Sequence, residues 1–108
     1  MRFTFHADQV EEFKRLSVEC LEIVRTQDVG TLQYDTYFNA DESEAMVIER
    51  FKDSESLIAH GANMAPLMEA ILATGSVHGE LLGEPNAELR ANFGEGGPVQ
   101  LFTPYQVM

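Results

Sequence analysis

The periodicities of this chain predict an α+β fold, with elements in the order β-α-β-β-α-β and a further short helix and strand at the end. Three observations lead there. Residues 31–39 and 45–52 alternate with period two and are joined by the short acidic stretch 41–44, which reads as a β-hairpin. Apolar residues recur at helical spacing both before and after that hairpin. The 108 residues contain no repeat, linker or low-complexity tract, so one domain, 1–108, is expected.

The first strand is expected from Arg2 to His6, with Phe3 and Phe5 on one side. Asp8 followed by Glu11 has the form of a capping box and predicts the first helix start. Val10, Phe13, Cys20 and Val24 then share a helix face, widened by Leu16, Leu21 and Ile23, until Asp28-Val29-Gly30 ends it. In the hairpin, Leu32, Tyr34, Thr36 and Phe38 oppose Gln33, Asp35, Tyr37 and Asn39. Its second strand sets Met46, Ile48 and Arg50 against Val47, Glu49 and Phe51. Ser54 is the expected N-cap of a second long helix with the stripe Leu57, Ile58, Gly61, Ala65, Met68, Ile71 and Leu72. Pro66 cannot donate its amide, which predicts a kink or two abutting helices, the second capped by Asn63. Gly75 is the expected stop. A third long strand over 76–83, a short helix over 86–93 and a last strand over 99–106 follow, the last entered through the turn region 94–98.

These elements make a ferredoxin-like, split βαβ arrangement: an antiparallel sheet with helices on one face. Both faces of the alternating runs are apolar or aromatic at many positions. The face without helices is therefore expected to associate, with a second copy laid sheet against sheet.

Seven Lys and Arg against 18 Asp and Glu give a formal net charge of −11. Such a surface repels phosphate backbones and anionic headgroups, so no nucleic-acid or membrane partner is expected. A neutral or apolar small molecule, or another protein, fits better. The single cysteine, Cys20, allows no intrachain disulfide and falls on an apolar stripe, where it is expected as a small core residue. No apolar run approaches the roughly 20 residues of a membrane span, and residues 1–8 lack the apolar core of a signal peptide. A cytoplasmic protein is expected. The histidines are His6, His60 and His78, none at i, i+4 spacing, so no metal site is predicted. Gly94-Glu95-Gly96-Gly97 is acidic, with no lysine-bearing helix start behind it, and reads as a turn rather than a phosphate cradle.

Gly30, Thr31, Leu32 and Tyr34 open one strand, an acidic hairpin follows, and Glu49 and Phe51 close the next strand. Ser54, Leu57 and His60 then start a helix. That sequence of motifs resembles the antibiotic biosynthesis monooxygenase family of dimeric α/β-barrel proteins. The resemblance implies a homodimer whose two sheets form a barrel-like core, with one pocket per subunit between sheet and helices. It implies activities such as quinol and anthrone-type oxygenation without metal or flavin, or haem degradation. The haem-degrading branch uses a tryptophan and a histidine on the long helix. This chain has no tryptophan, and no histidine follows His60 on that helix, so haem degradation is disfavoured. Its first strand is also short, which puts in doubt any pocket residue the family takes from there.

Cofactor-free oxygenation needs a base that titrates near neutrality, a hydrogen-bond donor for the ring oxygen and dry walls. The imidazole of His60 titrates in that range, one turn before Asn63 and Met64; the alternative is an exposed or capping histidine. Glu49, on a covered sheet face, needs a partner and would orient His60, or else forms an ion pair across strands or at an interface. His60, Glu49 and Asn63 are thus the candidate catalytic residues. Tyr34, Tyr37, Phe51, Met46, Met64, Met68 and His78 are the candidate pocket residues, and packing alone would equally explain strand aromatics and methionines. The function expected is a cofactor-independent monooxygenase-like activity on a quinol or other phenolic small molecule. The alternative is a non-catalytic homodimer, either binding a small aromatic or apolar ligand or purely structural.

Overall fold

The computed structural model describes residues 1–108. The elements are β1 (Arg2–Phe5), α1 (Val10–Gln27), β2 (Thr31–Phe38), β3 (Glu44–Phe51), α2 (Ser54–Leu72), β4 (Gly75–Leu82), α3 (Ala87–Arg90) and β5 (Val99–Phe102). They form one sheet in the order β2-β3-β1-β4-β5. The first four strands pair antiparallel, as a ferredoxin-like fold requires. β5 lies parallel to β4, which departs from the all-antiparallel expectation. The chain crosses back through residues 83–98, including α3, before it pairs, and so returns in the same direction. No helix is long and apolar enough to cross a membrane.

The core lies between the two long helices and one face of the sheet. Phe13 of α1 is its anchor, with ring centroids 5.0 Å from Phe3, 4.8 Å from Phe5 and 6.1 Å from Phe38. Aromatic pairs at such distances contribute about 0.5–1.5 kcal/mol each beyond area burial. Leu16 and Cys20 continue that helix face and pack with Ala45 and Val47 of β3 and with Met64 and Ile71 of α2. Cys20 is a buried core residue, as expected.

Four local expectations change. Asp8 takes a left-handed backbone (φ 64°) inside the β1–α1 turn, so its side chain does not cap α1; Gln9 precedes the helix without a side-chain cap bond. Asp53, not Ser54, caps α2 by accepting from the Ser56 amide, while the Ser54 hydroxyl accepts from the Asn86 amide and ties α3 to α2. α2 runs unbroken through Pro66, which is exposed, as is Ala62, whose carbonyl lacks its usual donor. Gly75 opens β4 rather than stopping α2. The helix ends at Leu72 with Ala73 as its cap, and Thr74 turns the chain with its buried hydroxyl on the Ile71 carbonyl.

The phase of α2 matters for the site. Its buried positions are His60, Met64 and Ile71, which are spaced to share one helix face. Of the expected stripe, Ile71 belongs to that buried face, while Leu57, Gly61, Met68 and Leu72 border a cleft, which Ile58 and Ala65 do not line. Apolar periodicity on α2 thus serves two neighbouring faces, one against the core and one against open space.

The opposite sheet face carries no helix. Alternation places Tyr37, Met46, Ile48 and Leu82 there, all exposed, among Arg2, Arg50, His78 and Glu80.

Candidate active site

Gly30 brings the site together. It is buried at the start of β2, and a Cβ added there would come within 1.9 Å of the Ser56 hydroxyl in the first turn of α2. With no side chain at this position, the α1–β2 connection passes directly under α2, and its carbonyl accepts from the Lys52 amide at 2.8 Å. That approach carries Asp28, the residue that ends α1, against the middle of α2.

Asp28 is anchored before it meets any histidine. The Thr31 hydroxyl donates to Oδ2 at 2.7 Å and the Asn63 amide to Oδ1 at 2.8 Å. His60 Nδ1 then lies 2.6 Å from Oδ2. The carboxylate is only 2% exposed and the imidazole 7%, so water does little to screen the pair. On the other side of the ring, Nε2 lies 3.2 Å from Glu49 Oε1 on β3. Both ring nitrogens face carboxylate oxygens, an arrangement that favours the imidazolium, with a hydrogen on each nitrogen.

The electrostatics agree with that assignment. Burial alone would lower the pKa of His60, but its hydrogen bonds to Glu49 and Asp28 outweigh burial and hold it above the ordinary 6.5. Burial likewise opposes ionisation of Asp28. The Asn63, His60 and Thr31 donors win, and its carboxyl sits below the ordinary value.

Tyr34 and Glu49 are directly paired across β2 and β3, so both project toward His60. The Tyr34 ring lies 5.6 Å and the Phe51 ring 5.1 Å from the imidazole, centroid to centroid. Burial, with the Cys20 thiol beside it, pushes the Tyr34 hydroxyl well above its ordinary value, so it stays protonated. The cluster forms one wall of a cleft of about 890 Å³ between α2, the sheet and the β4–α3 segment, and 19 of its 31 lining residues are hydrophobic. That volume admits a ligand of several rings.

The candidate catalytic residues meet, though not as a ring around the cleft. His60 and Glu49 line it, whereas Asn63 stands behind them and holds Asp28. Tyr34, Phe51, Met64 and Met68 are in its walls. Met46 and His78 border it from β3 and β4, at positions whose alternation turns their side chains toward the open sheet face. Tyr37 lies on that open face, 58% exposed, and is not part of the cleft. Asn39 serves the β2–β3 turn, accepting from the Glu44 amide. Sequence reasoning missed Asp28, which reads as a helix-ending residue. His60 is buried in phase with Met64 and Ile71, a burial that the fold shows and that calls for a polar partner such as Asp28.

No group of three or more His, Cys, Asp or Glu side chains is arranged to hold a metal ion. Asp28 and Glu49 approach opposite nitrogens of His60 and so do not converge on a shared point.

The cluster's residues all fall within the stretch that matches a known family. Residues 1–70 match antibiotic biosynthesis monooxygenase. No curated protein matches the chain. Among solved structures, MupZ from Pseudomonas fluorescens superposes with a TM-score of 0.77 at 24% identity, over 99% of this chain and 83% of that one. Rv0793 from Mycobacterium tuberculosis superposes with a TM-score of 0.63 at 21% identity, over 69% of this chain and 78% of that one. These likenesses support the fold from β1 to β5, and the family match covers Asp28, Tyr34, Glu49, His60 and Asn63 together. The chain belongs to the antibiotic biosynthesis monooxygenase family.

Proposed function

We infer that the protein is a cofactor-independent monooxygenase-like enzyme acting on a quinol or related phenolic small molecule. The observation that carries this reading is the buried His60 imidazole, held between two carboxylates at the wall of an apolar cleft. Deprotonating a phenol in a dry pocket requires a proton acceptor and a nearby positive charge for the phenolate. Glu49 supplies the acceptor and the His60 imidazolium the charge. The imidazole has both nitrogens engaged, so the base is the pair rather than His60 alone. Asp28, held by Thr31 and Asn63, keeps the ring oriented with Nε2 toward Glu49.

The phenolate passes one electron to dioxygen, and the resulting radicals combine to form a carbon–oxygen bond. The peroxide then breaks with loss of water to leave a carbonyl. One oxygen atom stays in the product and the other leaves as water, while the substrate supplies all the electrons; no flavin or metal is called on. Tyr34, Phe51, Met64 and Met68 exclude water around the ring.

The working unit in this reading is a cytoplasmic homodimer closed through the open sheet face. Exposed Tyr37, Met46, Ile48 and Leu82 support that pairing. The strongly acidic surface disfavours nucleic acid and anionic membranes as alternatives.

Oxygen uptake with a panel of hydroquinones and anthrone-type phenols tests the activity: the native protein is expected to exceed both background and His60→Ala. A second reading, a non-catalytic dimer that binds a small apolar ligand, is favoured by the large apolar share of the cleft lining. Stabilisation by ligands without oxygen uptake would select it.

A further inference from the structure

The cleft is one-sided in its hydrogen bonding. Glu49 Oε1 receives His60 Nε2, and no protein group donates to Oε2. That oxygen is not sealed in, because no buried side-chain oxygen or nitrogen lacks a partner, and Glu49 retains 20% side-chain exposure where it lines the cleft. The Met1 ammonium, on the sheet side of the cleft, donates to the Val47 carbonyl at 2.9 Å, and the polar side chains nearer Glu49 are spent or turned away. The Ser54 hydroxyl accepts from Asn86 and the Asp53 carboxylate caps α2. The Tyr34 hydroxyl lies toward Cys20 on the core side. Arg2, Arg50 and His78 stand at strand positions that alternate toward the open sheet face. Both nitrogens of His60 face carboxylates. Around Glu49, the wall made by α2 and β3 therefore offers a carboxylate acceptor and no free side-chain donor.

Resting on the reading of the cleft as a phenol site, we propose that Glu49 is a specificity-determining residue that selects the reduced state of the ligand. A hydroquinone presents an O–H that Glu49 Oε2 accepts. The corresponding quinone has nearly the same shape but presents a carbonyl oxygen, itself an acceptor, to the same carboxylate. Two acceptors in a poorly hydrated cleft repel, and each loses its water without replacement. Sites built around a hydrogen bond to a substrate hydroxyl discriminate sharply against analogues lacking it.

Equilibrium binding under anaerobic conditions tests this without any turnover. A bulky hydroquinone, its dimethyl ether and its quinone are titrated against the native protein, Glu49→Gln and Glu49→Asp. The native protein and Glu49→Asp are expected to bind the hydroquinone at least tenfold more tightly than either analogue. In Glu49→Gln the amide can donate to a carbonyl, so the preference should vanish or turn toward the quinone. Equal binding of all three ligands to the native protein, or a hydroquinone preference that survives in Glu49→Gln, would overturn the selection by Glu49 and leave the cleft an aromatic-binding site. Binding of none of the three would overturn the phenol-site reading as well.

Discussion

Asp28 and His60 are 32 residues apart in the chain and 2.6 Å apart in the fold, joining the end of α1 to the middle of α2. Through Glu49, the same imidazole reaches β3. One side chain thus clasps three elements, and the clasp depends on its charge.

Stability should therefore follow pH in a defined way. The folded pKa of His60 is raised above 6.5, so its contribution is fully present below 6.5 and is lost as pH rises through the folded value. The folded pKa of Asp28 is lowered below 3.8, so its contribution is present above 3.8 and is lost as pH falls through the folded value. The clasp is complete between those limits. Urea unfolding from pH 3 to 9 should show it strongest near pH 5 to 6, and in Asp28→Asn the alkaline fall attributable to His60 should move to lower pH. A His60 ring titrating below 6.5 by proton NMR in the native protein would contradict this.

Removing the Asp28 carboxylate altogether should cost more than neutralising it. Asp28→Ala leaves a buried imidazole nitrogen and the Asn63 amide without their acceptor, and breaking such a buried pair costs about 3–5 kcal/mol. Denaturant unfolding measures the loss. A change under about 1 kcal/mol would mean that water replaces the carboxylate.

Gly30→Ala should destabilise the fold by roughly 1–3 kcal/mol, because its Cβ overlaps Ser56. Ser56→Gly should recover part of that loss in the double variant, and a double-mutant cycle measures the coupling. Additive losses would show that the close approach of β2 to α2 is not what requires glycine.

The open sheet face should hold two copies together. Light scattering is expected to give twice the 12.1 kDa chain mass. Ile48→Asp places a charge among the exposed apolar residues of that face and should yield a folded monomer. A native protein already monomeric at micromolar concentration would remove the dimer from the proposal.

Much of the fold was legible because it is written in local periodicity. The alternation set Met46, Ile48 and Arg50 on one face of β3 and Val47, Glu49 and Phe51 on the other, but both faces were apolar enough that only packing showed the second group to meet the helices. α2 was harder, since two apolar stripes lie side by side and the periodicity alone favoured the one bordering the cleft. His60 belongs to the other stripe, where a polar residue breaks the pattern that would have identified it. Asp28 could not be read at all. Its partners Thr31, His60 and Asn63 are brought to it by a glycine contact between β2 and α2, a long-range fact with no local signature. Tyr37 was misplaced within the right element, because strand aromatics look alike whichever face they occupy.

The proton-handling role of the His60–Glu49 pair is tested most directly by dioxygen consumption and formation of the oxygenated product, measured together with hydroquinone and anthrone-type substrates. The native protein is expected to consume one dioxygen per molecule of oxygenated product, and His60→Ala and Glu49→Gln to slow the rate at least a hundredfold, within the span typical of a lost general base. Rates equal to those of the two variants, or no uptake above background across the panel, would contradict it.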